Sequence, residues 1–193
     1  MTIQPRHLIL TATSLLFFAS GCDEKPVSYS SPVGIELKAD SDKVIDGALT
    51  NDKEISTENG NPYASFVSAA RERLGRDPGL IEISRVTALL GADSTGVTGL
   101  GQIFDGRVDI LFEMNSTNDT IPVAHATIDA AVTGSAPVVF TIDFDGTSMV
   151  GLNMDDLLDG KFRVAYRGPV EANFASLNAK TDLQITLSFE AFD

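Results

Sequence analysis

The chain has 193 residues, with 27 Asp and Glu against 14 Lys and Arg, a formal net charge of −13, two histidines, one cysteine and no tryptophan. So acidic a surface repels polyanions, which excludes nucleic acid and anionic headgroups as electrostatic partners. One cysteine excludes an internal disulfide framework, so burial must stabilise the fold; a chain of this size suits one domain that buries ~70% of its surface.

Arg6 precedes an apolar run from Leu8 to Phe18, followed by Ala19-Ser20-Gly21 and then Cys22. A positive charge, a short apolar core and small residues form the layout of an export signal. The core, diluted by Thr11, Thr13 and Ser14, falls short of the ~20 apolar residues that span a bilayer. Ala19-Ser20-Gly21-Cys22 resembles the lipobox of bacterial lipoproteins, with Ala19 where that family usually has Leu. The resemblance covers the signal region only. It implies cleavage after Gly21, a lipid on Cys22 and a mature protein held at a membrane of the bacterial cell envelope. Asp23-Glu24 resembles the signal that retains lipoproteins in the inner membrane of enteric bacteria; other bacteria sort differently, so inner and outer membrane both stay open. Cleavage there removes Arg6 and no acid, leaving a charge of −14. The expected organisation is a signal peptide over 1–21, a flexible tether over 22–32 and one domain over 33–193.

Asp23 to Pro32 holds two prolines, three serines and no apolar period, which reads as a coil-like stalk. Ala39 to Gly60 is also polar, with Asp40, Asp42, Asp46, Asp52, Glu54 and Glu58; short strands are expected around Val33–Lys38 and Lys53–Glu58. Tyr63, Phe66, Val67, Ala70 and Leu74 recur with a helical period from Pro62 to about Leu74. Asn61 is placed to cap that helix, Pro62 suits its first position, and Gly75 and Pro78 close it.

Beyond Leu80 the period becomes two, the mark of half-buried strands. Ile81 and Ile83 lie on one face and Val86, Ala88 and Leu90 on the other, which predicts a bulge near Ser84-Arg85. Val108, Ile110, Phe112 and Met114 define a strand, as do Ala124 to Val132 within Ile121–Val132, and Val138, Phe140, Ile142 and Phe144. Phe162, Val164 and Tyr166 follow, then Leu183, Ile185, Leu187, Phe189 and Ala191. Leu100–Ile110 and Met154–Val164 echo each other as a helical turn, a glycine and a strand; the echo predicts matched strands, one from each sheet. The whole pattern predicts a mainly β fold, an antiparallel β-sandwich with one amphipathic helix and short inserted helical turns. A two-layer α+β arrangement is the alternative.

Chemistry is sparsely signalled. His125 is the one histidine beyond the signal; it is expected to face outward with Thr127 and Asp129, four residues and ~13 Å from Asp129 along the strand, too far for a hydrogen bond. A partner on another strand stays open, and an outward histidine with no role is the simpler expectation. Zinc is disfavoured for want of His and Cys. Calcium suits oxygen ligands, and Asp143, Asp145, Asp155 and Asp156 are its weak candidates, without the spacing of a calcium loop; solvated acidic turns are the expected reading and no cofactor is expected. Gly96-Val-Thr-Gly99-Leu-Gly101 lacks the lysine of a phosphate loop and reads as a shaped loop.

The sequence therefore predicts no catalytic residue. Its favoured function is a membrane-anchored module, tied to a membrane through lipid on Cys22, that binds an envelope protein or glycan through loops carrying Asp40, Asp42, Asp46, Asp93 and Thr95. A hydrolase of an envelope polymer, using an Asp/Glu pair or His125, is the alternative.

Overall fold

The structure is a computed structural model that describes residues 27–58 and 60–193. The export signal, Cys22 and the first part of the expected tether lie outside the described residues.

Most of the runs with period-two alternation form strands, and further strand residues form where the sequence shows no such alternation. In chain order the elements are β1 (Ser28–Lys38), β2 (Ala48–Ile55), α1 (Pro62–Leu74), β3 (Leu80–Leu90), β4 (Gly106–Met114), β5 (Thr120–Ile128), β6 (Val138–Val139), β7 (Thr141–Ile142), α2 (Leu152–Asp159), β8 (Phe162–Pro169) and β9 (Asp182–Phe192). Among the described residues they form two antiparallel sheets, ordered β1-β9-β3-β6 and β2-β8-β4-β5-β7. The protein is mainly β and has the layers of a β-sandwich.

The inward residues of the two sheets share one core. Phe112 of β4 stacks across the sandwich on Phe189 of β9, with ring centroids 6.3 Å apart, and tilts onto Phe162 of β8 at 4.8 Å. Removing one such ring from a packed core costs about 3–5 kcal/mol. The bulge predicted near Ser84-Arg85 is present, as the pairing of β3 with β9 shifts between Ile83 and Arg85.

Each flank of the sandwich is closed in its own way. On one flank β1 meets β2 at Lys38, whose carbonyl accepts from Asn51 Nδ2 at 2.9 Å and from the Tyr166 hydroxyl at 2.7 Å. Towards the start of β1, α1 fills the gap between the sheets. Asn61 Oδ1 accepts from the Tyr63 N–H, and Gly75 ends the helix at φ 73°, a left-handed conformation in which a Cβ would be strained. The buried face of α1 sets Tyr63 edge-on to Phe162 and Phe189, each at 5.1 Å, and Phe66 over Tyr29 at 6.0 Å. The Tyr63 hydroxyl donates to the Leu157 carbonyl at 2.8 Å. On the other flank Val138–Val139 pair with β3 while Thr141–Ile142 pair with β5, and the buried Phe140 sits between. The chain crosses there from one sheet to the other, so the single strand expected over Val138–Phe144 is divided.

Four further expectations change. Ser28–Pro32, expected within the tether, pair with Phe192–Ser188; small polar residues on both faces of this edge strand hid it, and Pro32 is tolerated at an edge. The short strand expected around Lys53–Glu58 is instead β2 over Ala48–Ile55, which starts earlier in the polar stretch and stops at Ile55; its exposed Asp52, Lys53 and Glu54 are the charges that guard an edge against further pairing. β5 ends at Ile128, after which Asp129 Oδ1 accepts from the Ala131 N–H and turns the chain. The strands of the two echoing segments, β4 and β8, are neighbours in one sheet rather than one from each.

The strands define two poles. The near pole carries Ser28, Leu80 and Phe192 with α1 and α2; the far pole carries Lys38, Leu90, Asp182 and the loops beyond them. The length of β1 separates the poles by ~33 Å.

Candidate functional site

At the far pole, the segment Ala179–Thr181 draws together two loops distant in sequence. The Ala39 N–H donates to the Thr181 carbonyl at 2.9 Å and the Ser41 N–H to the Ala179 carbonyl at 3.1 Å. On its other side, Thr95 and Lys180 exchange backbone hydrogen bonds of 2.8 and 3.2 Å. Gly96 allows this approach: it sits at φ 87°, and a Cβ there would lie 2.9 Å from the Ala179 Cα.

The side chains follow from that backbone. Asp40 Oδ1 accepts from the Thr181 N–H at 2.9 Å, while its Oδ2 accepts from Lys180 Nζ at 3.3 Å. Lys180 Nζ also donates to Asp42 at 2.9 Å. That bond raises the Lys180 pKa above its ordinary value and lowers that of Asp42. Lys38 pairs with Asp182, and the hydrogen bond raises its pKa too. Asp93 lies beside Glu36, Lys38, Asp40, Lys180 and Asp182 around one shallow depression. The result is a polar patch of alternating charge on a backbone fixed from both sides. It can offer carboxylate acceptors and ammonium donors to a hydroxyl-rich or peptide surface.

Of the residues expected to carry recognition, the structure brings Asp40, Asp42, Asp93 and Thr95 around Lys180. Asp46 stands apart at the turn between Ile45 and Ala48, at φ 51°. It borders a groove on the outer face of the second sheet with Lys43, Ile45, Leu111 and Arg167. Sequence reasoning missed Lys180, because nothing in the polar run Leu177-Asn178-Ala179-Lys180-Thr181 shows that it pairs with loops some 85 and 140 residues away.

His125 faces outward, and its partner is not Asp129. Nδ1 lies 2.6 Å from Asp143 Oδ2, supplied by the segment after β7. Along the outer face, Thr50, Arg167, Asp109, His125 and Thr141 form one cross-strand row. Arg107 Nε donates to Asp109 at 2.7 Å, and its Nη2 lies 3.7 Å from Asp143. A carboxylate on Nδ1 orients an imidazole as a general base requires. Among the described residues, however, His125 makes no side-chain hydrogen bond to a hydroxyl or thiol that it could activate, and the row lies on an open sheet face.

The weak calcium candidates are not brought together. Asp143 is taken by His125. Asp145 accepts from the Thr147 N–H and hydroxyl and so caps its own turn. Asp155 sits in the first turn of α2, and Asp156 is buried and accepts from the N–H and hydroxyl of Ser116. Among the described residues no three His, Cys, Asp or Glu side chains are grouped to hold a metal ion. The glycine loop packs instead of cradling a ligand: a Cβ on Gly101 would come within 2.1 Å of the Asp129 carbonyl oxygen.

No protein family and no curated protein matches the chain. A solved structure described as Desmodium yellow mottle tymovirus is similar over 97% of this chain and 94% of its own, at 14% identity and a TM-score of 0.34. A likeness that slight bears on neither fold nor function.

Proposed function

We propose that the protein is an exported, lipid-anchored lipoprotein of the bacterial cell envelope that acts as a binding module, with the far pole turned to an envelope protein or glycan. The supporting observation is positional. The described chain begins beside Ser28 at one pole, whereas Asp40, Asp42, Asp93, Thr95 and Lys180 gather at the other. A lipid on Cys22, six residues before Ser28, anchors the near pole and leaves the patch facing away from the membrane. Loops fixed on a rigid sandwich are a common place for recognition. The partner is polar, since the patch offers charge and hydrogen bonds and little apolar surface.

Crosslinking of the protein in its native membrane, followed by identification of what co-purifies, tests this reading. A specific envelope partner, lost in Asp42→Lys and Lys180→Glu and absent with Cys22→Ser, is the expected result. A partner retained by both charge reversals, or none at all, overturns it.

One observation favours a second reading, hydrolysis of an envelope polymer. Asp143 orients the His125 imidazole at 2.6 Å. Turnover of purified envelope polymers that disappears in His125→Ala would establish it; no turnover by the wild-type protein removes it.

A further inference from the structure

The near pole displays an apolar tip. Val150 and Leu152 are 71% and 58% exposed, on a turn that the fold holds in place. Behind the tip, Met149 is buried and its N–H donates to the Gly146 carbonyl at 3.0 Å. Gly146 lies so close to β3 that a Cβ would come within 2.0 Å of the Ile81 carbonyl oxygen. Ahead of the tip, Leu152 opens α2, which Asp156 ties to Ser116 and the Leu157 carbonyl ties to Tyr63. The turn is fixed at both ends, and both aliphatic side chains stand exposed on it.

Their position is informative. The turn that holds Gly146 flanks β3, and β9 and then β1 follow in sheet order. At ~4.8 Å per strand, Ser28 is on the order of 15 Å from that turn. Cys22 precedes Ser28 by six residues, a span of at most ~22 Å. A lipid on Cys22 therefore keeps the tip within reach of the same membrane surface.

We infer that Val150 and Leu152 dip into the lipid surface as a second contact for the domain, an inference that rests on the proposed lipid anchor at Cys22. Asp143, Asp145 and Asp155 border the tip in sequence, so the contact is apolar and added salt does not weaken it. Two aliphatic side chains hold a bilayer weakly, and the anchor makes the contact effective by keeping the tip at ~millimolar local concentration. The contact fixes the tilt of the sandwich and points the far pole outward.

The lipid-bearing protein, reconstituted in phosphatidylethanolamine–phosphatidylglycerol vesicles, gives the test. Its Cys22 sulfur is blocked by lipid, so V150C, L152C and the far-pole variant L177C each carry one free thiol for a polarity-sensitive fluorophore. A quencher in the acyl chains is expected to quench the Val150 and Leu152 positions several-fold more than position 177, with no loss at raised salt. Equal quenching at the three positions on a protein whose N-terminal peptide carries the lipid mass overturns this contact alone. An N-terminal peptide without lipid mass, on a protein released without detergent, overturns both the contact and the anchor. Unchanged far-ultraviolet circular dichroism shows that the variants keep the fold.

Discussion

Asp156 is only 1% exposed, and its carboxylate accepts from the Ser116 N–H at 2.8 Å and the Ser116 hydroxyl at 2.5 Å. These bonds tie α2 to the turn between β4 and β5. A hydrogen bond to a charged group contributes about 1.5–3 kcal/mol where both partners are buried. Ser116 is itself exposed, so water replaces part of what Asp156→Ala removes, and the expected cost is about 2 kcal/mol. Asp156→Asn keeps the volume and one acceptor oxygen, and about 1 kcal/mol is expected. For a domain of this size these losses lower Tm by roughly 4–8 °C and 2–4 °C. Urea unfolding should show a lower midpoint with an unchanged m-value, and hydrogen exchange at Ser116–Asp119 should quicken in Asp156→Ala. An Asp156→Ala protein within about 0.5 kcal/mol of wild type, the spread of an ordinary surface change, would refute the argument.

Burial raises the pKa of both Tyr63 and Tyr166 above the usual tyrosine value. Their stabilisation is complete below the unfolded pKa of ~10; above it, each ionises when unfolded but stays neutral when folded, and stability falls by about 1.4 kcal/mol per pH unit for each. Phenolate absorbance from these two should thus appear together with loss of circular dichroism, and their ionisation within an intact fold would contradict the burial. Tyr63→Phe keeps the ring packing and gives up the bond to the Leu157 carbonyl, at an expected cost of about 1 kcal/mol by thermal melting. Gly101→Ala forces a Cβ onto the Asp129 carbonyl oxygen, and a soluble protein with wild-type Tm would show that this approach does not matter.

The sequence was readable where one face of an element is apolar from end to end. The Tyr63, Phe66, Val67 and Ala70 stripe of α1 and the alternation of β9 fall where periodicity puts them. It was opaque where tertiary contacts replace apolar character. The first half of β1 holds its place by pairing with β9 and by Tyr29 packing on Phe66. β2 is an edge strand of mostly exposed polar residues, and the period of Val138–Phe144 continues through a point where the chain changes sheets. At the far pole the acidic loop residues could be named, but Lys180, which binds two of them, could not. Its place depends on backbone bonds between segments remote in sequence, which leave no local pattern.

Ser28 and Phe192 are paired at one end of β1 and β9, and the backbone bonds of Ala39 and Ser41 to Thr181 and Ala179 lie at the other. A pull between the start of β1 and the far-pole loops therefore runs along the strands. The register bonds of β1 with β9 then share the load in shear and must yield together, whereas a sideways pull would open them one after another. Tension applied in that direction falls first on β1, an edge strand held in its sheet by β9 alone.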